Sequence, residues 1–161
     1  MFKKVKKRRG DPAILENSPV GDSRANGAAE RAVQAVGEQV RVLRKALEDR
    51  VGYRLSGTRP VLAWLMEHSA DVLSKFLVGD DGKTAYERLK GKKYEKELVE
   101  FGERVHYRFE KRGGKDNKLE VKWGEGSFLG TRWRTGEIIV GNAECIHKAS
   151  TIKRVGGHRR W

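Results

Sequence analysis

The spacing of hydrophobic positions changes once along this chain. Apolar residues first recur at Ala29, Val33, Val36, Val40, Leu43 and Leu47. Their steps alternate between four and three, which is one face of an amphipathic helix. Ser23 or Asn26 can cap that helix, and Gly52 follows its expected end near Arg50. Glycine and proline make residues 52–60 a loop, and Pro60 suits the first position of a second helix. Val61, Leu62, Leu65, Val72, Leu73 and Phe76 give that helix its apolar face, and Trp64 and His68 on its flank read as core edge. Gly79-Asp80-Asp81-Gly82 breaks it, as a turn rather than a metal loop, because no further oxygen ligands follow at fixed spacing. Residues 83–89 predict a short helix capped near Gly91.

From about residue 98 the period becomes two. Val105, Tyr107 and Phe109 share one face of a strand over residues 104–109. Residues 111–117 form a mostly basic loop, and short strands are expected over 126–133, 137–141, 145–148 and 151–155. Gly- and Asn-rich turns separate them, which suggests a small barrel and makes the chain α+β, helices first. No internal repeat is present.

Composition narrows the partners. With 161 residues, 37% of them hydrophobic, the chain suits one medium domain or two small ones around a modest core. A net charge of +13 points to nucleic acid or an anionic membrane surface. No run approaches the roughly 18 apolar residues of a membrane span. The basic start (Lys3, Lys4, Lys6, Lys7, Arg8, Arg9) has no apolar stretch after it, so it is not a secretory signal. It reads as a nucleic-acid arm, a nuclear localisation signal or a solvated tail, and the expected location is nuclear or cytoplasmic. Cys145, the single cysteine, allows no internal disulfide and fits a reducing compartment. His68, His106, His147 and His158 lie far apart, so no structural zinc site is expected.

Candidate chemistry concentrates where the first helix starts. A turn-rich approach (Pro19, Gly21, Asn26, Gly27) delivers Glu30 into the first turns, where a carboxylate can present a hard oxygen to a divalent metal. The polar side carries Glu30, Gln34, Arg41, Arg44, Lys45 and Glu48. Glu30, Gln34 and Arg41 fall on one side at helical spacing, which could lie along a phosphate backbone or be an ordinary solvated face.

Asn26-Gly27-Ala28-Ala29-Glu30-Arg31, preceded by Ser18-Pro19, resembles the third catalytic block of copia-type retrotransposon integrases, of the retroviral-type integrase superfamily. Further stretches match in the family's order. Thr84-Ala85-Tyr86-Glu87 with Gly91-Lys92-Lys93 is similar to a Thr-Pro-Tyr-Glu…Gly-Lys-Lys segment, Ala85 replacing proline. Phe101-Gly102 with Tyr107 is similar to a Phe-Gly…Tyr strand, and Gly126-Ser127-Phe128-Leu129-Gly130 to a Gly-x-Phe-Leu-Gly strand. The likeness covers about residues 17–155 and, with the two basic ends read from their charge, divides the chain into four segments. These are a basic tail (1–17), the helical end of an RNase H-like integrase core (18–97, incomplete), an SH3-like β-barrel (98–155) and a basic tail (156–161).

The resemblance also implies the chemistry. Integrases hold two divalent metals, Mg²⁺ or Mn²⁺, with two aspartates and a glutamate, and the metals clamp the attacking and leaving oxygens of an in-line phosphoryl transfer. Glu30 matches the glutamate. Only 29 residues precede it, and Asp11 and Asp22 stand at the wrong distance to match the aspartates. The expectation is a fragment with one of three metal carboxylates, no tight metal binding and no activity alone. The core's sheet is also missing, so the long helix lacks the surface its stripe would bury against; a third hypothesis is that the piece does not fold by itself. DNA is the expected partner, with no membrane, and a homo-oligomer as in integrases. Asn26, Arg31, Gln34, Arg41, Arg44 and Lys45 are candidate DNA contacts on the helix, and Lys111, Arg112, Arg132, Arg134, Lys153 and Arg154 in the barrel. The alternative is a self-standing, non-enzymatic nucleic-acid-binding protein derived from a retroelement.

Overall fold

The structure, a computed structural model, describes residues 26–108 and 121–161. The basic start, the approach to Glu30 with Asp11, Asp22 and Ser23, and Phe109, Lys111 and Arg112 lie outside the described residues. The chain divides into two compact units, Met1–Gln34 and Ala35–Trp161.

In the first unit the described residues open helix α1 (Gly27–Val51). The Asn26 carbonyl accepts the Glu30 amide at 3.0 Å, so helical bonding begins there. Glu30 is the acid of the first turn, where a negative charge complements the helix dipole. Ala29 and Val33, expected to begin the apolar face, are exposed.

In the second unit α1 gains its buried side: Val36, Val40 and Leu43 are half-buried and Leu47 is buried. Gly52, at φ +75°, ends it by donating to the Glu48 carbonyl. Helix α2 (Val61–Phe76) follows Pro60, as expected. His68 lies inside the core rather than at its edge, 4% exposed, with its ring 5.5 Å from Phe101 and 5.8 Å from Phe128. The 79–82 segment is a turn, with the Gly79 amide on Lys83 and the Gly82 amide on Gly79. Helix α3 (Ala85–Lys90) has a capping box: Thr84 Oγ1 accepts from Glu87 N and Glu87 Oε2 accepts from Thr84 N. Gly91, at φ +71°, closes its C-terminus.

Strands β1 (Arg104–Arg108), β2 (Trp123–Thr131), β3 (Ile138–Gly141), β4 (Ile146–Ala149) and β5 (Ile152–Arg154) form one antiparallel sheet in the order β4-β3-β2-β1-β5. A short 3₁₀ turn, Gly157–Arg159, follows. Strand β2 is shared. Its first half pairs with β1 and its second half with β3, with a register shift between Phe128 and Gly130. The ladders leave β4 and β5 at opposite edges, yet only Ser150 and Thr151 separate them. A flat sheet would hold those edges about 19 Å apart, at about 4.8 Å per strand. Three Cα steps reach at most about 11 Å. The sheet therefore curls on itself.

Curling buries two faces. Phe128 and Val140 join Val105, Tyr107 and Ala149 in one cluster. Their chain neighbours Leu129 and Ile139 join Leu47, Leu55, Leu65 and Phe101 in another, which the helices cover. Successive strand residues face opposite ways, so each doubly buried strand needs consecutive apolar residues. Residues on both sides of position 98 share the helix-side core. Glycine is required where backbones meet: a Cβ on Gly126 would stand 2.6 Å from Val140 Cγ1 and 2.8 Å from the Gly141 carbonyl oxygen.

Immediately before β1, Glu103 is fully buried. Its carboxylate accepts from Arg154 Nε at 2.6 Å and Nη2 at 2.9 Å, and from Arg160 Nη2 at 2.9 Å. Burial alone would raise its pKa. The two guanidinium groups outweigh burial and hold it below the ordinary carboxylate range.

Among the described residues no helix is long and apolar enough to cross a membrane.

Candidate nucleic-acid interface

Alternation places one side of β1 in the core and the other in solvent: Val105 and Tyr107 are buried, while Arg104, His106 and Arg108 are exposed. Residues directly opposite across a ladder share a face. Arg104, His106 and Arg108 stand opposite Ser127, Glu125 and Trp123 of β2, and His106 stands opposite Lys153 of β5. Three adjacent strands thus assemble one outward surface with three cations, a histidine and an indole. Lys153 Nζ lies 4.8 Å from the Trp123 ring centroid, a cation–π approach that fixes both groups without neutralising the lysine. Glu125 is the surface's carboxylate, 3.5 Å from Arg104 Nε. Arg108 and Lys153 make no ion pair with a described residue. Such a surface can take phosphate oxygens on its cations and offers an aromatic edge beside them.

The residues expected to contact DNA are distributed more widely. Asn26, Glu30, Arg31 and Gln34 are exposed in the first unit. In the second, Arg41 is exposed and makes no ion pair with a described residue. Arg44 is held by the fold: its Nε donates to Glu48 at 2.8 Å and its Nη2 to the Leu55 carbonyl, so it ties the end of α1 to the following loop. Glu48 in turn is held below the usual carboxylate range, chiefly by Arg44. Lys45 pairs with Asp49 on the exposed face of α1. Arg132 and Arg134 are exposed on the β2–β3 turn, where Arg134 flanks Trp133 at 5.8 Å. Lys153 belongs to the sheet surface. Arg154, its neighbour in sequence, points the other way into the Glu103 network and also pairs with Glu97. Lys111 and Arg112 lie outside the described residues, in the segment joining β1 to β2.

Arg104, His106, Arg108 and Trp123 were not among the expected contacts. For Arg104, His106 and Arg108 the signal was available, since they are the outward positions of the alternation whose inward positions mark the core; Trp123 lies in a stretch without apolar alternation.

Among the described residues no group of three or more His, Cys, Asp or Glu side chains could hold a metal ion. Glu30 supplies one oxygen donor group, and Mg²⁺ requires several. The described residues therefore do not fit the two-metal group that the integrase resemblance implies, and no metal-dependent step follows from them. No family model, no curated protein and no solved structure matches the chain.

Proposed function

We propose that this chain binds duplex DNA by sequence-independent phosphate contacts, as the DNA-facing part of a copia-type integrase. On this reading residues 18–97 are the helical end of an RNase H-like core and residues 98–155 an SH3-like barrel. The observation that carries the DNA-binding reading is the outward surface of β5, β1 and β2, where Arg108 and Lys153 make no ion pair with a described residue and stand beside Trp123. The barrel reading is supported by the fifth strand returning to pair with the first and by the curl this imposes. The large positive charge adds long-range attraction to a polyanion. Glu30 is then the family's third carboxylate, and it gives no strand transfer without the two aspartates. A homo-oligomer and a nuclear or cytoplasmic location belong to the same proposal.

One observation favours a second reading, a non-enzymatic DNA-binding protein derived from such an element: the surface is assembled without Glu30. The upstream reading frame separates the two. An open frame encoding two aspartates at integrase spacing favours the first, and unrelated sequence favours the second.

Fluorescence anisotropy with a random-sequence duplex tests the shared claim. The wild-type chain should bind at moderate salt, and Arg108→Glu with Lys153→Glu should weaken binding at least about tenfold. Glu30→Ala should change it less than about twofold. Binding no tighter than that of a neutral control protein would rule the proposal out.

A further inference from the structure

A cleft of about 690 Å³ opens between α2, α3 and the β2–β3 turn, within the second unit. Its size lies within the range of small-ligand sites, about 300–1,000 Å³. Trp64, Tyr86 and Trp133 supply aromatic surface, and Leu129 and Ile139 complete an apolar floor. Trp133 is 57% exposed and presents its indole at the cleft. Lys90 Nζ stands 5.4 Å from its ring centroid, with Arg134 on the same ring. Lys90, Arg132 and Arg134 make no ion pair with a described residue. Two acids also line the cleft; Asp71 is paired with Lys75, and Glu67 is exposed. His68 lines the cleft as well, and its Nδ1 is buried without a hydrogen-bond partner among the described residues. That nitrogen lies beside Gly130, which has no side chain to cover it.

These features select a flat ring with an anionic group attached. The aromatic walls favour stacking, the three cations favour a phosphate at the mouth, and an orphan ring nitrogen at depth favours a partner with a polar edge. We infer that the cleft binds one unpaired nucleotide, its base against Trp133 and its phosphate among Lys90, Arg132 and Arg134. The inference deepens the nucleic-acid reading by adding a base-binding site apart from the duplex-binding sheet surface. The nucleotide can be free or part of a single strand.

The test is an NMR titration of the ¹⁵N-labelled full chain with three probes: deoxyadenosine monophosphate, a short oligodeoxyadenylate, and an abasic deoxyribose-phosphate strand of equal length. The oligodeoxyadenylate should bind about tenfold tighter than the abasic strand, since base stacking discriminates on that scale. It should also shift the Trp133 indole and His68 ring signals. Similar shifts with the monophosphate show that a free nucleotide suffices; shifts with the strand alone assign the site to strands. Trp133→Ala, at an exposed turn position, should abolish the preference for bases while leaving core signals such as Ala149 unmoved. Equal affinity for the two strands, or a preference that survives Trp133→Ala, overturns the inference. Duplex affinity reads the sheet surface separately, so either idea can fail alone.

Discussion

Glu103 shows how far a residue's role depends on partners that are distant in sequence. Its two arginines lie 51 and 57 residues away. Removing one partner of a buried charge network is costly, so Glu103→Gln should lower stability by about 2–4 kcal/mol in urea unfolding. The same change at Glu125, in an exposed pair, should cost less than about 1 kcal/mol. His68 gives a pH signature. Burial lowers its pKa from 6.5 to about 4, so the folded state resists a proton that the unfolded state accepts. The full contribution is therefore present above about pH 6.5 and is lost progressively as pH falls towards about 4, by up to about 3 kcal/mol. Urea titrations between pH 7 and 4.5 should show this fall, and His68→Leu should flatten it. Single residues were the least legible scale. Lys153 and Arg154 look equivalent in sequence, and only strand register sends one to solvent and the other to Glu103.

Elements were read more faithfully, because periodicity and capping are local properties. Among the described residues, both long helices and the first strand lie where the spacing of apolar residues places them, and the short helix and the later strands where caps and Gly- and Asn-rich turns place them, with ends displaced by a few residues. The displacements have causes. Strand β2 reaches back to Trp123 because β1 pairs with that half, although Trp123-Gly124-Glu125 carries no apolar alternation. It stops at Thr131 because the Arg132 amide bonds to Glu137 and the Gly136 amide to Arg132, which closes the turn. The stretches that carry the family likeness also have structural duties. Thr84 and Glu87 form the capping box, Gly102 (φ +84°) lies against Leu47, and Gly126 lets β2 approach β3. Gly126→Ala should therefore unfold the sheet locally and cost more than about 2 kcal/mol, read as a drop in the denaturation midpoint.

For the whole molecule, one of the three hypotheses is that the piece does not fold alone; its second unit holds two hydrophobic clusters and a buried ion network. Calorimetry should show one sharp transition for this unit, and broad, non-cooperative melting would contradict that. The proposed DNA binding is also a whole-molecule property, since three strands must be adjacent before their outward cations form one surface. That surface was legible only in part: the net charge of +13 is plain in the sequence, while the grouping of Arg104, Arg108 and Lys153 required the β5-β1-β2 register. The most direct measurement is the salt dependence of duplex affinity for the wild-type chain and for Arg108→Glu with Lys153→Glu. Phosphate contacts predict a steep linear fall of log affinity with log salt, and a slope reduced by about two in the double variant. A wild-type slope near zero, or an identical slope in the variant, would contradict the assignment of this surface to DNA.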